Sequence, residues 1–350
     1  MRVVIVGATG NVGSSLVRVM AAAPEIESVL GVARRRPRLE LAKTEWAQAD
    51  IAGDDLVPLF RGADAVVHLA WLIQPSRDQG ELARVNLGGS AHVFRAVADA
   101  GVSALVYASS VGAYSPGPKD SFVDESWPVG GVPASFYSRH KAEVESRLDV
   151  FEREYPAIRV VRMRPGLIFK RAAAAGIRRL FAGPLLPTSL LRPRFVSLIP
   201  EIPGLRFQAV HTDDVAQAYR AALAREVRGA FNLAAEPVLD RERLAQIFGA
   251  RPVRVPRPLA RSSMALLWRL HLQPTPPGWL DLALSVPLLD VTRARTVLDW
   301  TPRTGADNAL RELLDGMREG AADATPPLSA QTSGPLRVRE LVTGIGRRGT

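Results

Sequence analysis

Hydrophobic and polar positions alternate with two different periods along the chain, and the change of period marks its elements. Arg2-Val-Val-Ile-Val6 is a short β-branched run of the kind that forms a strand buried on both faces. Three glycines follow, Gly7, Gly10 and Gly13, and then Ser14–Ala22 carries Leu16, Val17 and Met20 at helical spacing. Ser28-Val-Leu-Gly-Val-Ala33 reads as the next strand. Much later, residues 208–224 and Gly229-Ala-Phe-Asn-Leu233 read as a helix and a strand. Between them Gly183-Pro-Leu-Leu-Pro-Thr-Ser-Leu-Leu-Arg192 is apolar but interrupted by proline, which suits a loop-rich lid. Ser263–Leu270 is a helix-like apolar stretch before Pro274, Pro276, Pro277 and Trp279. From about Gly320 small and polar residues dominate, which reads as a flexible tail, with Arg337–Val342 as a candidate ordered element within it.

Strand, glycine turn and helix in that order form the context of a dinucleotide-binding turn. Gly7 would allow the tight turn, Gly10 the approach of a pyrophosphate, and Gly13 close packing of helix on strand. Thr9, Asn11 and Val12 fill the turn between them. The helix N-terminus then offers N–H groups and a favourable dipole to phosphate. An acid about 20 residues beyond such a turn would bind the ribose 2′-hydroxyl of NAD. Here Ala33 stands there, followed by Arg34, Arg35 and Arg36. A guanidinium in place of a carboxylate suits a 2′-phosphate, so NADP(H) is favoured and NAD(H) remains allowed.

A second pattern lies in Tyr137-Ser-Arg-His-Lys141. On a helix, positions i and i+4 share a face, so a phenol and an ammonium can serve one site. The chain has only four lysines, Lys43, Lys119, Lys141 and Lys170. An ammonium near a phenol favours the phenolate and lowers its pKa from about 10 toward neutrality, where it can exchange protons with a substrate.

With these motifs the chain resembles the extended short-chain dehydrogenase/reductase family, also called the NAD-dependent epimerase/dehydratase family. The resemblance runs in order from Met1 to about Thr304. Beyond the glycine turn, Asp50 and Ile51 match the family's adenine-contacting pair. Val66–Ala70 matches the fourth strand and the turn beside the cofactor, which includes Leu69 and Ala70. Asn86 matches the asparagine of the following helix. Leu105–Tyr114 matches the fifth strand and places Ser110 on the catalytic serine. Arg164-Pro165-Gly166 matches the turn near the nicotinamide, and residues 210–215 a later signature. Asp290–Pro302 resembles the late helix and its Gly-Trp-x-Pro signature, with Asp299 in place of glycine.

The resemblance implies an α/β fold: a Rossmann-type doubly wound parallel sheet with a smaller, mostly helical C-terminal substrate lobe. The cofactor domain would take residues 1–168 plus about 207–235, and the lobe about 169–206 and 236–318, with the tail over about 320–350. It also implies an enzyme in which Tyr137 is the acid/base, Lys141 tunes it and binds the nicotinamide ribose, and Ser110 binds the substrate oxygen. Asn86 would line the cofactor site in a structural or water-binding role. His140 departs from the family's Ser or Thr and reads as packing or surface. Val111 and Gly112 follow Ser110 where dehydratases carry an acidic pair, so elimination of water from a sugar is not expected. The run Arg164-Pro-Gly-Leu-Ile-Phe-Lys170 lacks the asparagine of many nucleotide-sugar enzymes and looks closer to reductases. The leading reading is an oxidoreductase for a carbonyl or secondary alcohol on a substantially apolar substrate; the alternative is an NAD-dependent sugar epimerase without net redox. A dinucleotide-sensing protein without catalysis would not need Ser110, Tyr137 and Lys141 together.

Composition narrows the rest. The 350 residues are 47% hydrophobic, enough for a sizeable core and a second lobe. Cysteine is absent, which removes disulfides, thiolate nucleophiles and thiolate metal clusters. The net charge of +10 comes from arginines spread along the chain without an aromatic-interleaved nucleic-acid motif, so no nucleic-acid partner is expected. No apolar run of about 20 residues predicts a membrane span, and a strand beginning at Arg2 leaves no room for a signal peptide, so a soluble cytoplasmic enzyme with a small-molecule substrate is expected. A homodimer is left open. Adjacent Asp213 and Asp214 read as a helix N-cap rather than a metal pair, and His211 has no partner at ligand spacing, so no metal site is assigned.

Overall fold

Val3 and Ile5 point to one side of their strand and Val4 and Val6 to the other, and all four are buried. A strand apolar on both faces requires a layer on each side. In the computed structural model, which describes residues 1–74, 76–182 and 197–329, that strand (β1, Arg2–Val6) sits within a seven-stranded sheet. The strands are β1, β2 (Ser28–Ala33), β3 (Thr44–Gln48), β4 (Ala65–His68), β5 (Ala104–Ala108), then, after the short β6 (Phe122–Val123), β7 (Arg159–Pro165), and later β11 (Gly229–Leu233). Their order is β11-β7-β5-β4-β1-β2-β3, and each pairing is parallel. This is the doubly wound Rossmann arrangement, with the order reversing between β1 and β4.

The helices up to the site are α1 (Asn11–Ala22), α2 (Val57–Phe60), α3 (Gln79–Ala83), α4 (Ser90–Asp99) and α5 (Phe136–Glu154), with a π-helical turn, Arg84–Gly89, joining α3 to α4. On one face Leu16 and Met20 of α1 pack with Val3 and Ile5 and with Val215 and Tyr219 of a later helix. On the other face Val93, Phe94 and Val97 of α4 and Val144 and Leu148 of α5 cover Val4 and Val6. Each fully buried side chain of this kind contributes about 1.5–3 kcal/mol relative to exposure.

The rest of the chain adds β8 (Leu167–Phe169), α6 (Ala174–Ile177), β9 (Leu198–Glu201), β10 (Phe207–His211), α7 (Thr212–Ala224), β12 (Ala235–Leu239), α8 (Arg241–Phe248), β13 (Arg251–Arg254), α9 (Arg257–Arg269), α10 (Gly278–Ser285), β14 (Leu288–Leu289), α11 (Thr292–Val297) and α12 (Ala306–Glu319). Small sheets accompany the helices here, β12-β10-β8, β13-β9 and β14-β6. The stretch expected to be one helix over 208–224 therefore begins as a strand, β10, and only α7 is helical. Gly166 explains the handover between sheets: its N–H donates to the Leu233 carbonyl at 2.9 Å, and a Cβ there would lie 2.6 Å from the Gln208 carbonyl oxygen.

Two other expectations change. The cap of α7 is His211, whose Nδ1 accepts from the Asp213 N–H at 3.2 Å, and not an aspartate. Asp214 is buried instead, taking the Thr304 N–H on Oδ2 at 3.0 Å, while its carbonyl accepts from the Trp300 indole at 2.7 Å. The tail expected from about 320 is packed at least through residue 329. Asp323 pairs with Arg18 at 3.0 Å, Thr325 is fully buried, and Leu328 lies against Gly176. A buried leucine and a bidentate ion pair outweigh the low local propensity of this segment. The expected lid over 183–192 and the candidate element over 337–342 lie outside the described residues.

Candidate active site

The sequence-predicted residues gather beyond the carboxyl ends of the parallel strands, where α/β sheets bind ligands. At the switch point the turn after β1 touches the turn after β4. Gly7 has φ +87°, and a Cβ on it would lie 2.6 Å from the Ala70 nitrogen. A Cβ on Gly13 would press into the Gly7 carbonyl, so only glycine lets the first turn of α1 rest on the turn before it. Gly10 is the N-cap of α1 and provides no side-chain cap, which leaves the helix terminus open to an anion. Thr9 is buried beside it. Asn11 faces away from that opening: its amide donates to the Ile168 carbonyl at 3.2 Å and its Oδ1 accepts from Thr212 at 3.2 Å. Val12 packs on the core. This cradle fits a dinucleotide pyrophosphate.

Arg34 is exposed immediately past the end of β2. Asp50 follows β3, with its Oδ1 accepting from the Ala52 N–H at 3.0 Å and the Arg84 guanidinium 3.9 Å from Oδ2. Ile51 is buried against Gly89, where a Cβ would lie 2.7 Å from Ile51 Cδ1. The Leu69 N–H donates to the Val6 carbonyl at 2.8 Å. Asn86, read from sequence as lining the cofactor site in a structural or water-binding role, gives both polar atoms to Leu72. Its Oδ1 accepts from the Leu72 N–H at 2.7 Å and its Nδ2 donates to the Leu72 carbonyl at 2.8 Å. A fully buried amide must be satisfied, and the irregular segment after β4 supplies the partners.

Ser110, Tyr137 and Lys141 come together on the other side of the crevice. Ser135 caps α5, with its oxygen accepting from the Ser138 N–H. Ser138 fastens the helix start to the turn after β5, donating to the Gly112 carbonyl at 2.5 Å and accepting from the Val132 N–H at 2.6 Å. Ser110 caps the short 3₁₀ turn Val111–Ala113, its Oγ accepting from the Gly112 N–H at 3.0 Å. The Tyr137 ring lies along that turn. A Cβ on Gly112 would be 2.8 Å from its Cε1.

Lys141 is 3% exposed. Its ammonium donates to the Ala108 carbonyl at 2.6 Å and lies 3.5 Å from the centre of the Trp71 ring, but 5.9 Å from that of Tyr137. Burial pushes this ammonium well below its ordinary pKa, with Glu145 pulling the other way. The expected lowering of the phenol is therefore not met here. Burial raises Tyr137, and the hydrogen bond with Ser110 only partly opposes it. Nearby, burial holds His68 down at about 3, so it stays neutral, its Nε2 2.9 Å from Ser90 Oγ.

Sequence reasoning passed over Trp71 and Glu145. Trp71 and Trp279 flank the phenol, with ring centres 6.0 and 5.0 Å away, and Phe181 stands edge-on to Trp279 at 4.9 Å. Among the described residues the buried indole N–H groups of Trp71 and Trp279 have no hydrogen-bond partner. The available signal for Trp71 was its place directly after Ala70; Trp279 was named only as the residue that follows the prolines at 274, 276 and 277. Glu145 follows Lys141 by four residues and continues its stripe on α5. It is 1% exposed and takes Arg164 in a bidentate pair at 2.8 and 2.9 Å, with Ser109 donating at 2.5 Å. Arg164 goes on to Tyr114 at 3.0 Å, and Tyr114 to Asn232 at 2.7 Å. A buried network thus joins α5 to β7 and β11. Burial pushes Glu145 up, but Arg164, Arg162 and Ser109 more than reverse this and hold it below the ordinary carboxylate value.

The model of the NAD dependent epimerase/dehydratase family matches residues 3–179. The chain is 29% identical over 324 residues to the uncharacterized protein Rv2047c of Mycobacterium tuberculosis (strain ATCC 25618 / H37Rv), covering 91% of this chain but spanning only 30% of that protein's length. It is 31% identical over 109 residues to the L-arabinose 1-dehydrogenase (NAD(P)(+)) of Haloferax volcanii, 31% of this chain and 41% of that one. Among solved structures it is similar to the UDP-glucose 4-epimerase of Thermus thermophilus in complex with NAD, at TM-score 0.66 and 24% identity over 91% of this chain and 99% of that one, a likeness of fold.

Proposed function

The chain belongs to the NAD dependent epimerase/dehydratase family of enzymes, and from that premise we propose an NADP(H)-preferring oxidoreductase that interconverts a carbonyl and a secondary alcohol on a substrate of substantial apolar area. The observation that carries this reading is the pair Trp71 and Trp279 flanking Tyr137, an aromatic wall that Phe181 extends by standing edge-on to Trp279. Large rings shed water and reward apolar surface, and the two unpartnered indole N–H groups leave room for a few polar contacts. Val111 and Gly112 after Ser110 bring no carboxylate for elimination.

The residues that would hold the dinucleotide are Gly7, Thr9, Gly10 and Gly13 at the pyrophosphate, with Asn11 and Val12 offering only their backbone because their side chains turn away, and Asp50 and Ile51 at the adenine. Leu69, Ala70, Pro165 and Gly166 would lie toward the nicotinamide, with Asn86 acting through Leu72. Exposed Arg34, with no acid at Ala33, supports a 2′-phosphate. When bound, the cofactor supplies or takes the hydride. In the reducing direction Tyr137 gives its proton to the carbonyl oxygen, and Ser110 hydrogen-bonds that oxygen as charge develops on it. Lys141 would bind the ribose, and any help its charge gives to the loss of the phenol proton would work against the burial that raises Tyr137.

A second reading, a nucleotide-sugar epimerase, draws support from a basic group beside the lobe. Lys119 donates to the carbonyls of Arg206 at 3.0 Å and Ala283 at 2.8 Å, and burial together with Arg206 and Arg257 pushes it down to about 8. Such a group would suit a diphosphate. The two readings separate on substrate. We expect NADPH absorbance to fall with members of an apolar ketone panel, and Tyr137→Phe to slow turnover by about 10²–10⁴ while NADPH still binds. Calorimetry with UDP-sugars should show no heat. Micromolar UDP-sugar binding, or full turnover in Tyr137→Phe, would overturn the first reading.

A further inference from the structure

Helix α9 buries none of its residues. Its inner side is held by a few contacts: Arg257 donates to the Pro203 carbonyl at 2.6 Å, Arg261 pairs with Asp281 at 3.0 Å, and the Trp268 indole lies 4.3 Å from the Arg77 guanidinium. At 100° per residue Leu259, Leu266 and Leu270 fall on the opposite side, with Leu267 beside them. They are exposed by 59%, 57%, 57% and 39%. Leu272, just past the helix, is exposed as well. An outward stripe of leucines is too large to be an ordinary scatter of surface apolar residues.

Charge says what covers it. Between Glu242 and Asp281 the sequence has no acidic residue, while Arg243, Arg251, Arg254, Arg257, Arg261 and Arg269 fall there. The stretch between Glu154 and Glu201 is acid-free too. Its Arg159, Arg162 and Arg164 belong to β7 of the main sheet, whereas Arg171, Arg178, Arg179, Arg192 and Arg194 follow that strand in sequence. Arg251, Arg254 and Arg269 are exposed. A second copy docked symmetrically on this face would set arginines against arginines, while the nearby acids Glu201 and Asp281 are already paired with Arg241 and Arg261. Leucines flanked by arginines instead match an anionic bilayer surface, apolar inside and negative at the headgroups. Among the described residues no helix is long and apolar enough to cross a membrane.

The position of α9 links this face to the site. The segment that carries Trp71 continues to Gln74, Ser76 and Arg77. Gln74 and Ser76 donate to the Pro274 carbonyl at 3.1 and 2.6 Å, and Arg77 to the Trp268 carbonyl. We propose that α9 lies in the interface of an anionic membrane, its leucine stripe among the acyl chains and its arginines at the headgroups, and that the site takes an apolar substrate from that membrane. The membrane contact stands on the surface alone; the source of the substrate rests on the oxidoreductase reading above.

Vesicle flotation of the full chain, without cofactor or substrate, tests the contact separately from that reading. Wild type should float with phosphatidylcholine vesicles that contain phosphatidylglycerol, less so as salt rises, and much less with phosphatidylcholine alone. Leu259→Ser/Leu266→Ser/Leu270→Ser should weaken binding at least about tenfold, and Arg269→Glu by on the order of tenfold on the anionic vesicles. Melting temperature and NADPH affinity should stay at wild-type values in both, because these side chains face solvent. No flotation of wild type, or equal flotation of the triple serine variant, overturns the proposal. So does a wild-type dimer that the triple variant turns into a monomer, which would assign the face to a second copy.

Discussion

Glu145→Gln keeps the shape of α5 and removes the charge at the centre of its buried network. The carboxylate is 1% exposed and Arg164 4%. Its oxygens accept from Arg164 Nε at 2.8 Å, Arg164 Nη2 at 2.9 Å and Ser109 at 2.5 Å, with Arg162 at 3.4 Å. Glutamine offers one acceptor and points an NH₂ at donors. Arg164 would keep Tyr114 and the Glu125 carbonyl, both through Nη1, and lose its counter-charge. Removing one partner of a buried pair costs about 3–5 kcal/mol. At roughly 2 °C per kcal/mol for a chain of this size, the melting temperature should fall by roughly 6–10 °C. Cofactor affinity should fall as well, because Lys141 and Tyr137 lie one and two turns earlier on the same face. The sign with pH is determined by the lowered pKa of Glu145. A carboxyl held below its unfolded value of about 4.3 stabilises fully above that pH and ceases to as pH drops through the folded value. The gap between wild type and variant, read by calorimetry, should therefore narrow in acid below about pH 4. Glu145→Leu/Arg164→Met should recover part of the loss. A single glutamine variant that melts with wild type at pH 7 would refute the idea that this pair holds the helix.

The glycine turn gives a sharper test of close packing: Gly13→Ala should lose cofactor binding by calorimetry, because its Cβ meets the Gly7 carbonyl, and wild-type affinity would contradict that geometry. Lys170 is buried on Ser14, Ser15 and the Asn11 carbonyl, and burial lowers it to about 8; its folded value lies below its unfolded one, so stability should rise with pH from about 8 toward 10.4, and Lys170→Met should flatten that rise in thermal melts. Arg34→Ala should weaken NADPH more than NADH in paired titrations; equal affinities in both proteins would remove the proposed preference.

Much of the frame was legible because it is local. Arg2–Val6 and Ser28–Ala33 stand as strands with the bounds their β-branched runs suggested, and the turn after the first of them leaves no room for a Cβ at Gly7 or Gly13. Helical spacing alone puts Tyr137, Lys141 and Glu145 on one stripe of α5. What tertiary structure decided is what depends on distant neighbours. Trp71 and Trp279 flank one phenol, with Phe181 edge-on behind Trp279; the three come from separate segments, and no periodicity links them. The residues at 320–329 look unstructured by composition yet dock, because Arg18 and Gly176 receive Asp323 and Leu328. The pKa of Tyr137 follows the same rule. Spacing predicts an ammonium beside the phenol, but the fold turns Lys141 toward Ala108 and Trp71 and buries the ring, and desolvation is a property of everything packed around a group rather than of its place in the sequence.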